Sequence, residues 1–212
     1  MISVNPMSGV DKPEVDEADH GRALVADERK RLIAGFAGRS LHPIVVTALL
    51  TGARRGEILS LRWSDFDAEN KTLRIGRSLD KAGRILTFKL PKTGEKGIRT
   101  IAIADELVEL LKAEREKHQR LVASIPDGAD VDLSLVKLPS EALIFPSFIG
   151  AKIDLTKPGD PATTSLGFIR RARKIGFAGL RFHDLRGTHE TALLDAGCRP
   201  MSSRNVADIP SR

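Results

Sequence analysis

The sequence predicts an α+β fold, mainly helical with a small three-stranded antiparallel sheet. Apolar residues recur at helical spacing on both sides of a central stretch, and within that stretch they alternate. With 212 residues and a hydrophobic content of 41%, the chain is long enough for one domain with a sizeable core.

Residues 1–25 are polar and acidic, with Asp11, Glu14, Asp16, Glu17 and Asp19 set against Lys12, and with Pro6 and Pro13 among them. They read as a linker or remnant preceding a domain of residues 26–200. In "ADERKRLIAGFA", Asp27 can cap a short helix whose apolar face includes Leu32, Ile33 and Phe36. "PIVVTALLTG" is apolar all round, which predicts a buried helix ending at Gly52. Beyond "RRGEILSLRWSDFD" the period becomes two. Leu73 and Ile75 form one alternating run, Leu86, Phe88 and Leu90 a second, and "IRTIAI" a third, with Gly94 and Gly97 of "PKTGEKG" suited to a hairpin turn. These three runs are expected to form the sheet. From Asp105 the helical period returns, with Leu107, Leu110, Leu111, His118, Leu121 and Val122 on one face. A loop-rich stretch follows, carrying Pro126, Pro139, Pro146, Pro158 and Pro161, in which "ALIFPS" is a candidate buried segment. Two further helices are expected near Thr163–Ile175 and His183–Ala196, the second closed by Gly197 and Pro200. Its buried stripe would be Leu185, His189, Ala192, Leu193 and Ala196.

A net charge of +6 and a pI near 9.7 point weakly toward nucleic acid, and are equally compatible with a basic protein that has no polyanion partner. Cys198 is the single cysteine, which excludes an intrachain disulfide and fits a reducing compartment. No apolar run approaches the ~18 residues of a membrane span, and no signal peptide is evident. A cytoplasmic protein without a membrane partner is expected.

Three places could carry chemistry. His183 and Arg186 stand three apart near a helix start, so both leave one face beside free N–H groups, an arrangement suited to an anion. Upstream, "IRRARKIGFAGLR" gathers Arg170, Arg171, Arg173, Lys174 and Arg181 without an acid. A solvated cationic helix with a capping histidine would have the same pattern. In "TGARRGEIL", Arg54 leaves the end of a buried helix, where an inward guanidinium needs a partner. That partner is either Glu57, as a structural ion pair, or a substrate phosphate held bidentately. Lys92, at the tip of the expected hairpin, carries weight only with the other two.

Taken in order, "TGARRGEILSLRWSDFD", the strand region with "PKTGEKGIRTIAI", "LIFPS" and "LRFHDLRGTHETALLDAG" resemble the catalytic domain of the tyrosine recombinase (phage integrase) family over most of the chain, from about Ala26 to Pro200. The resemblance implies an integrase-type catalytic fold and phosphoryl transfer on double-stranded DNA in site-specific recombination and integration, the chemistry of mobile elements. Arg54 and Arg186 would clamp the scissile phosphate. Lys92 would give a proton to the departing 5′ oxygen, His183 would serve as acid/base and phosphate-positioning group, and Glu57 would support the site. No metal or cofactor is implied, since the arginines stabilise the charge, and Arg170, Arg171, Arg173, Lys174 and Arg181 would meet DNA.

The family also needs a histidine or tryptophan in an "LGH"-like turn and a nucleophilic tyrosine. "MSSRNVADIPSR", residues 201–212, has neither, and the chain contains no tyrosine. Ser202 or Ser203 as a substitute would need an adjacent base and correct placement, and nothing in the sequence supports either. The expectation is a catalytic domain lacking its last helices, its family ending lost near Pro200 by a frameshift or premature join, and inactive alone. An intact recombinase subunit lending its tyrosine would be a second partner. The alternative is a basic helical DNA-binding or regulatory protein without recombinase chemistry, which would leave Arg54, Lys92 and Arg186 unassembled.

Overall fold

The structure, a computed structural model, describes residues 22–147 and 154–198. The acidic residues 1–21, Pro200 and the 201–212 tail lie outside the described residues. Among the described residues six α-helices and five strands run in the order α1 (Ala26–Phe36), α2 (His42–Thr51), α3 (Arg55–Ile58), β1 (Phe66–Asp67), β2 (Thr72–Ile75), β3 (Ser78–Ala82), β4 (Ile85–Lys89), β5 (Arg99–Ala102), α4 (Asp105–Ala123), α5 (Pro161–Lys174) and α6 (Asp184–Asp195). The result is the α+β, mainly helical architecture that the periodicities predict.

α2 is the axis of the core. Every residue from Pro43 to Leu49 is buried, as an all-round apolar helix requires, and α6, α1 and α4 pack around it. α1 contributes Leu32 and Phe36, and Phe36 stacks on Phe168 of α5 at 5.4 Å, which in turn meets Phe182 edge-on. The start of α1 is capped by Glu28, not Asp27: the Val25 N–H donates to the Glu28 carboxylate at 3.2 Å, while Asp27 lies in the first turn.

The small three-stranded antiparallel sheet is present, in the order β1-β2-β5, with Thr72 opposite Ala102 and Ile75 opposite Arg99. Its membership differs from the expectation. The run containing Leu86 and Phe88 is β4, which leaves this sheet and pairs with β3 in a separate hairpin, Ser78 opposite Lys89. The hairpin turn is at Gly83 (φ 60°), whereas Gly94–Gly97 is a 310 turn joining strands of different sheets. β3 escaped notice because "SLDKA" holds one large apolar residue, Leu79, which is buried. Alternation in β4 misled because Phe88 packs under the Arg77 guanidinium, 4.5 Å from ring centroid to Cζ, and not in the core.

Ala142, Leu143, Ile144 and Phe145 form the expected buried segment, held by Ile144 N–H to Leu61 O and Leu143 N–H to Leu155 O, each 2.8 Å. α4 buries Leu107, Val108, Leu111 and His118, but Leu121 and Val122 are exposed, so the apolar stripe outruns the core it packs on. α5 begins at Pro161 because Asp160 caps it, accepting from the Thr163 N–H at 2.9 Å. The stripe expected on α6 is corrected more strongly. Its buried residues are Asp184, Leu185 and Thr188, while His189 and Ala192 are half-buried and Leu193 and Ala196 exposed. Thr188 is buried because its hydroxyl receives the Leu24 N–H at 3.1 Å, tying the approach to α1 onto α6. Among the described residues no helix is long and apolar enough to cross a membrane.

Candidate phosphate-binding site

The site begins where α2 stops. Gly52 has φ 60°, a left-handed conformation that glycine adopts without steric cost. A Cβ there would lie 2.5 Å from the His189 ring. The turn sends Arg54 out in an extended conformation, and the four residues of α3 return Glu57 onto it. The Arg54 N–H donates to Glu57 Oε2 at 2.9 Å, and Arg54 Nη1 pairs with Oε1 at 3.1 Å. Arg99, from the start of β5, pairs with the same carboxylate at 2.8 Å. Glu57 has no solvent exposure. Burial alone would push its pKa up; the hydrogen bond from Arg99, the Arg54 amide and the two positive charges outweigh it and hold the carboxyl below its usual range.

From the other end of the chain, Asp184 shapes the turn before α6 by accepting the Arg181 N–H at 2.7 Å. Arg181 Nε also lies 3.6 Å from this carboxylate. His183 is exposed at the mouth of α6. One turn on, Arg186 donates from Nη1 to the Gly52 carbonyl at 2.7 Å and pairs through Nη2 with Glu190 at 2.9 Å. His189, one further turn along, has Nδ1 2.9 Å from Leu49 O and so braces α6 against α2, in keeping with a packing role.

Arg54, His183 and Arg186 thus line one cavity of about 420 Å³ together with Arg55, Ser165, Ile169 and Arg181, and no carboxylate is among its lining residues. Glu57 pairs with Arg54 and is not itself a lining residue, so the structural ion pair is present while Arg54 still borders the cavity. Lys92 is not brought in. It is exposed in the β4–β5 connection, between buried Pro91 and Gly97, and is not among the residues that line the cavity.

The basic stretch before α6 is not one surface. At about 100° per residue, Ser165 and Ile169 on the cavity side of α5 lie roughly opposite Arg170, Arg171 and Lys174. Those three line a separate cleft with Arg39 and Ser40, where Arg171 Nε donates to Gly35 O at 2.8 Å. Arg173 is exposed, and Arg181 alone of the group reaches the cavity. Arg99, Arg55, Ser165 and Glu190 were missed as site residues. The signal for Arg55 was in plain view, adjacent to Arg54; the others approach only through the tertiary fold. Among the described residues no three His, Cys, Asp or Glu side chains gather as metal ligands would.

Comparisons with known proteins identify the family and the fold. The chain matches the phage integrase family over residues 24–206 and belongs to that family. It is 29% identical over 182 residues to a tyrosine recombinase XerC-like protein of Caldanaerobacter subterraneus subsp. tengcongensis, covering 81% of this chain and 43% of that one. Among solved structures it resembles the Tn1549 transposon integrase in complex with transposon right end DNA, with a TM-score of 0.66 and 20% identity over 87% of this chain and 57% of that one. XerA recombinase matches with a TM-score of 0.57 and 22% identity, over 83% and 52%. The chain therefore spans about two fifths to somewhat over half the length of these relatives.

Proposed function

We propose that the chain is a DNA-phosphate-holding part of a site-specific tyrosine recombinase, and that alone it binds duplex DNA without cutting it. The observation that carries this reading is the convergence of Arg54, His183 and Arg186, from segments about 130 residues apart, on one cationic cavity without a lining carboxylate. Two guanidinium forks held from behind, Arg54 by Glu57 and Arg186 by the Gly52 carbonyl, present N–H groups in fixed directions. That is what stabilising charge on the non-bridging oxygens of a phosphodiester requires. His183 would exchange a proton with a reacting oxygen. Lys92 would protonate the departing 5′ oxygen once the β4–β5 connection closes over bound DNA. Arg170, Arg171, Arg173, Lys174 and Arg181 add long-range attraction from two sides of α5.

The chain contains no tyrosine, so it holds phosphorus without bringing a phenolic nucleophile to it; a tyrosine-bearing recombinase subunit is the partner that would complete the reaction. The single cysteine suits a cytoplasmic setting.

The test is a labelled nicked duplex incubated with the chain alone. Binding that weakens steeply with salt and yields no denaturant-resistant protein–DNA adduct is expected. An adduct would overturn the claim of inactivity, and affinity that is flat across salt would overturn the electrostatic account of DNA binding.

A further inference from the structure

We infer that Arg55 seats a second phosphate, next along the strand from the one held by Arg54 and Arg186; this rests on the DNA reading above. A phosphodiester has two non-bridging oxygens, and two guanidinium forks bonding bidentately fill them. Yet four arginines line the cavity: Arg54, Arg55, Arg181 and Arg186. Three of them have a carboxylate partner: Arg54 has Glu57, Arg186 has Glu190 and Arg181 has Asp184. Arg55 differs. Its guanidinium donates to the Ser165 hydroxyl of α5, a neutral acceptor, and among the described residues it has no ion pair.

An arginine has five N–H donors, and a hydroxyl takes one. Ser165 aims the side chain across the cavity without neutralising it. The half-buried guanidinium therefore keeps its charge and most of its donors for an anion, and an anion adjacent to the scissile phosphate on a nucleic acid strand is another phosphate. Ser165 acts as a positioning residue, and Arg55 as a backbone contact outside the chemical step.

The experiment measures affinity of the full chain for a 20-base-pair duplex of arbitrary sequence against salt, for wild type, R55Q, R55K and S165A. Each lost phosphate contact should lower the slope of log K against log salt by about 0.9. R55Q is expected to lose about that much slope and to bind roughly tenfold more weakly near 0.1 M salt. R55K, which keeps the charge, is expected to keep the slope, and S165A to keep it while weakening binding by less. If Arg55 only staples α3 to α5, R55Q and S165A would lose thermal stability alike with the slope unchanged, and the proposal fails. If R55Q folds poorly, the double variant R55L/S165L, which replaces the staple by an apolar contact, carries the same comparison. Wild-type affinity that ignores salt would overturn the DNA reading as well, whereas a salt-dependent wild type with an unchanged R55Q slope overturns the Arg55 seat alone.

Discussion

Acid should destabilise this protein first through His118. His118 of α4 is 2% exposed, and its Nδ1 accepts the Trp63 indole N–H at 3.1 Å. Burial, against a smaller opposing pull from Glu114, pushes its pKa down to about 4 from an ordinary 6.5. A proton on Nδ1 would face an indole N–H, donor against donor. Because the folded pKa is depressed, the unfolded chain binds the proton first between those values, and stability falls as pH drops through that window. The linkage integral gives a loss of about 2 kcal/mol between pH 7 and pH 5, and about 3 kcal/mol by pH 4. With a urea slope of about 2 kcal/mol per molar, the unfolding midpoint should move by about 1 M on going to pH 5. The assay is unusually clean, since the chain has one tryptophan and no tyrosine, so intrinsic fluorescence reports Trp63 alone. H118Q, which keeps an acceptor but does not titrate, should lose most of this pH dependence. If wild type and H118Q shift in parallel from pH 7 to pH 5, the assignment to His118 is wrong.

Two substitutions test the scaffold of the phosphate site. G52A places a Cβ 2.5 Å from the His189 ring at φ 60° and should cost about 1–3 kcal/mol of stability; because the same residue's carbonyl holds Arg186, DNA affinity should fall too, and a wild-type melting curve would refute the packing argument. E57Q leaves Arg54 and Arg99 without their shared carboxylate. Removing one member of a buried pair costs about 3–5 kcal/mol, but these side chains are 37% and 33% exposed, so water screens them and about 2 kcal/mol is expected. Since the folded Glu57 pKa is lowered, the wild-type advantage in urea unfolding should hold above the ordinary carboxylate range and shrink as pH falls below it; an advantage that grows in acid would refute the sign.

What the sequence disclosed and what it hid have different physical origins. α2 was legible because a helix apolar on every side has one place to go, and Gly52 because a chain leaving such a helix needs a left-handed residue. The strands were half legible. β2 and β5 alternate because one face lies on the core, whereas β3 has Leu79 alone to bury and β4 keeps its aromatic outside under an arginine, so periodicity could not say which runs pair. α6 was misread in its second half: Leu185 is buried as its apolar stripe requires, but Leu193 and Ala196 are exposed, and the polar Asp184 and Thr188 are buried in their place. Asp184 closes the turn before the helix on the Arg181 N–H, and Thr188 receives the distant Leu24 N–H, contacts that hydropathy does not register.

The same distinction explains the candidate site. Arg54, His183 and Arg186 were legible because short-range geometry fixes them: a helix end, an i, i+3 pair, a turn. Their meeting rests on long-range contacts between α6 and the end of α2, among them Arg186 to the Gly52 carbonyl and His189 to Leu49 O, which no local pattern encodes. The Arg186 bond joins the two halves economically, since the glycine that lets the chain turn toward Arg54 also exposes the carbonyl that receives Arg186. Moving the Gly52 end should therefore disturb both arginines at the cavity, while the Glu57–Arg99 pair, anchored in β5, stays in place. Lys92 has no such anchor: it is exposed on the β4–β5 connection and does not line the cavity. Within the proposed function, the clamp is thus built before DNA arrives and the proton donor must be brought to it. Phosphate binding would then survive substitution of Lys92, whereas it would not survive loss of the Gly52 turn.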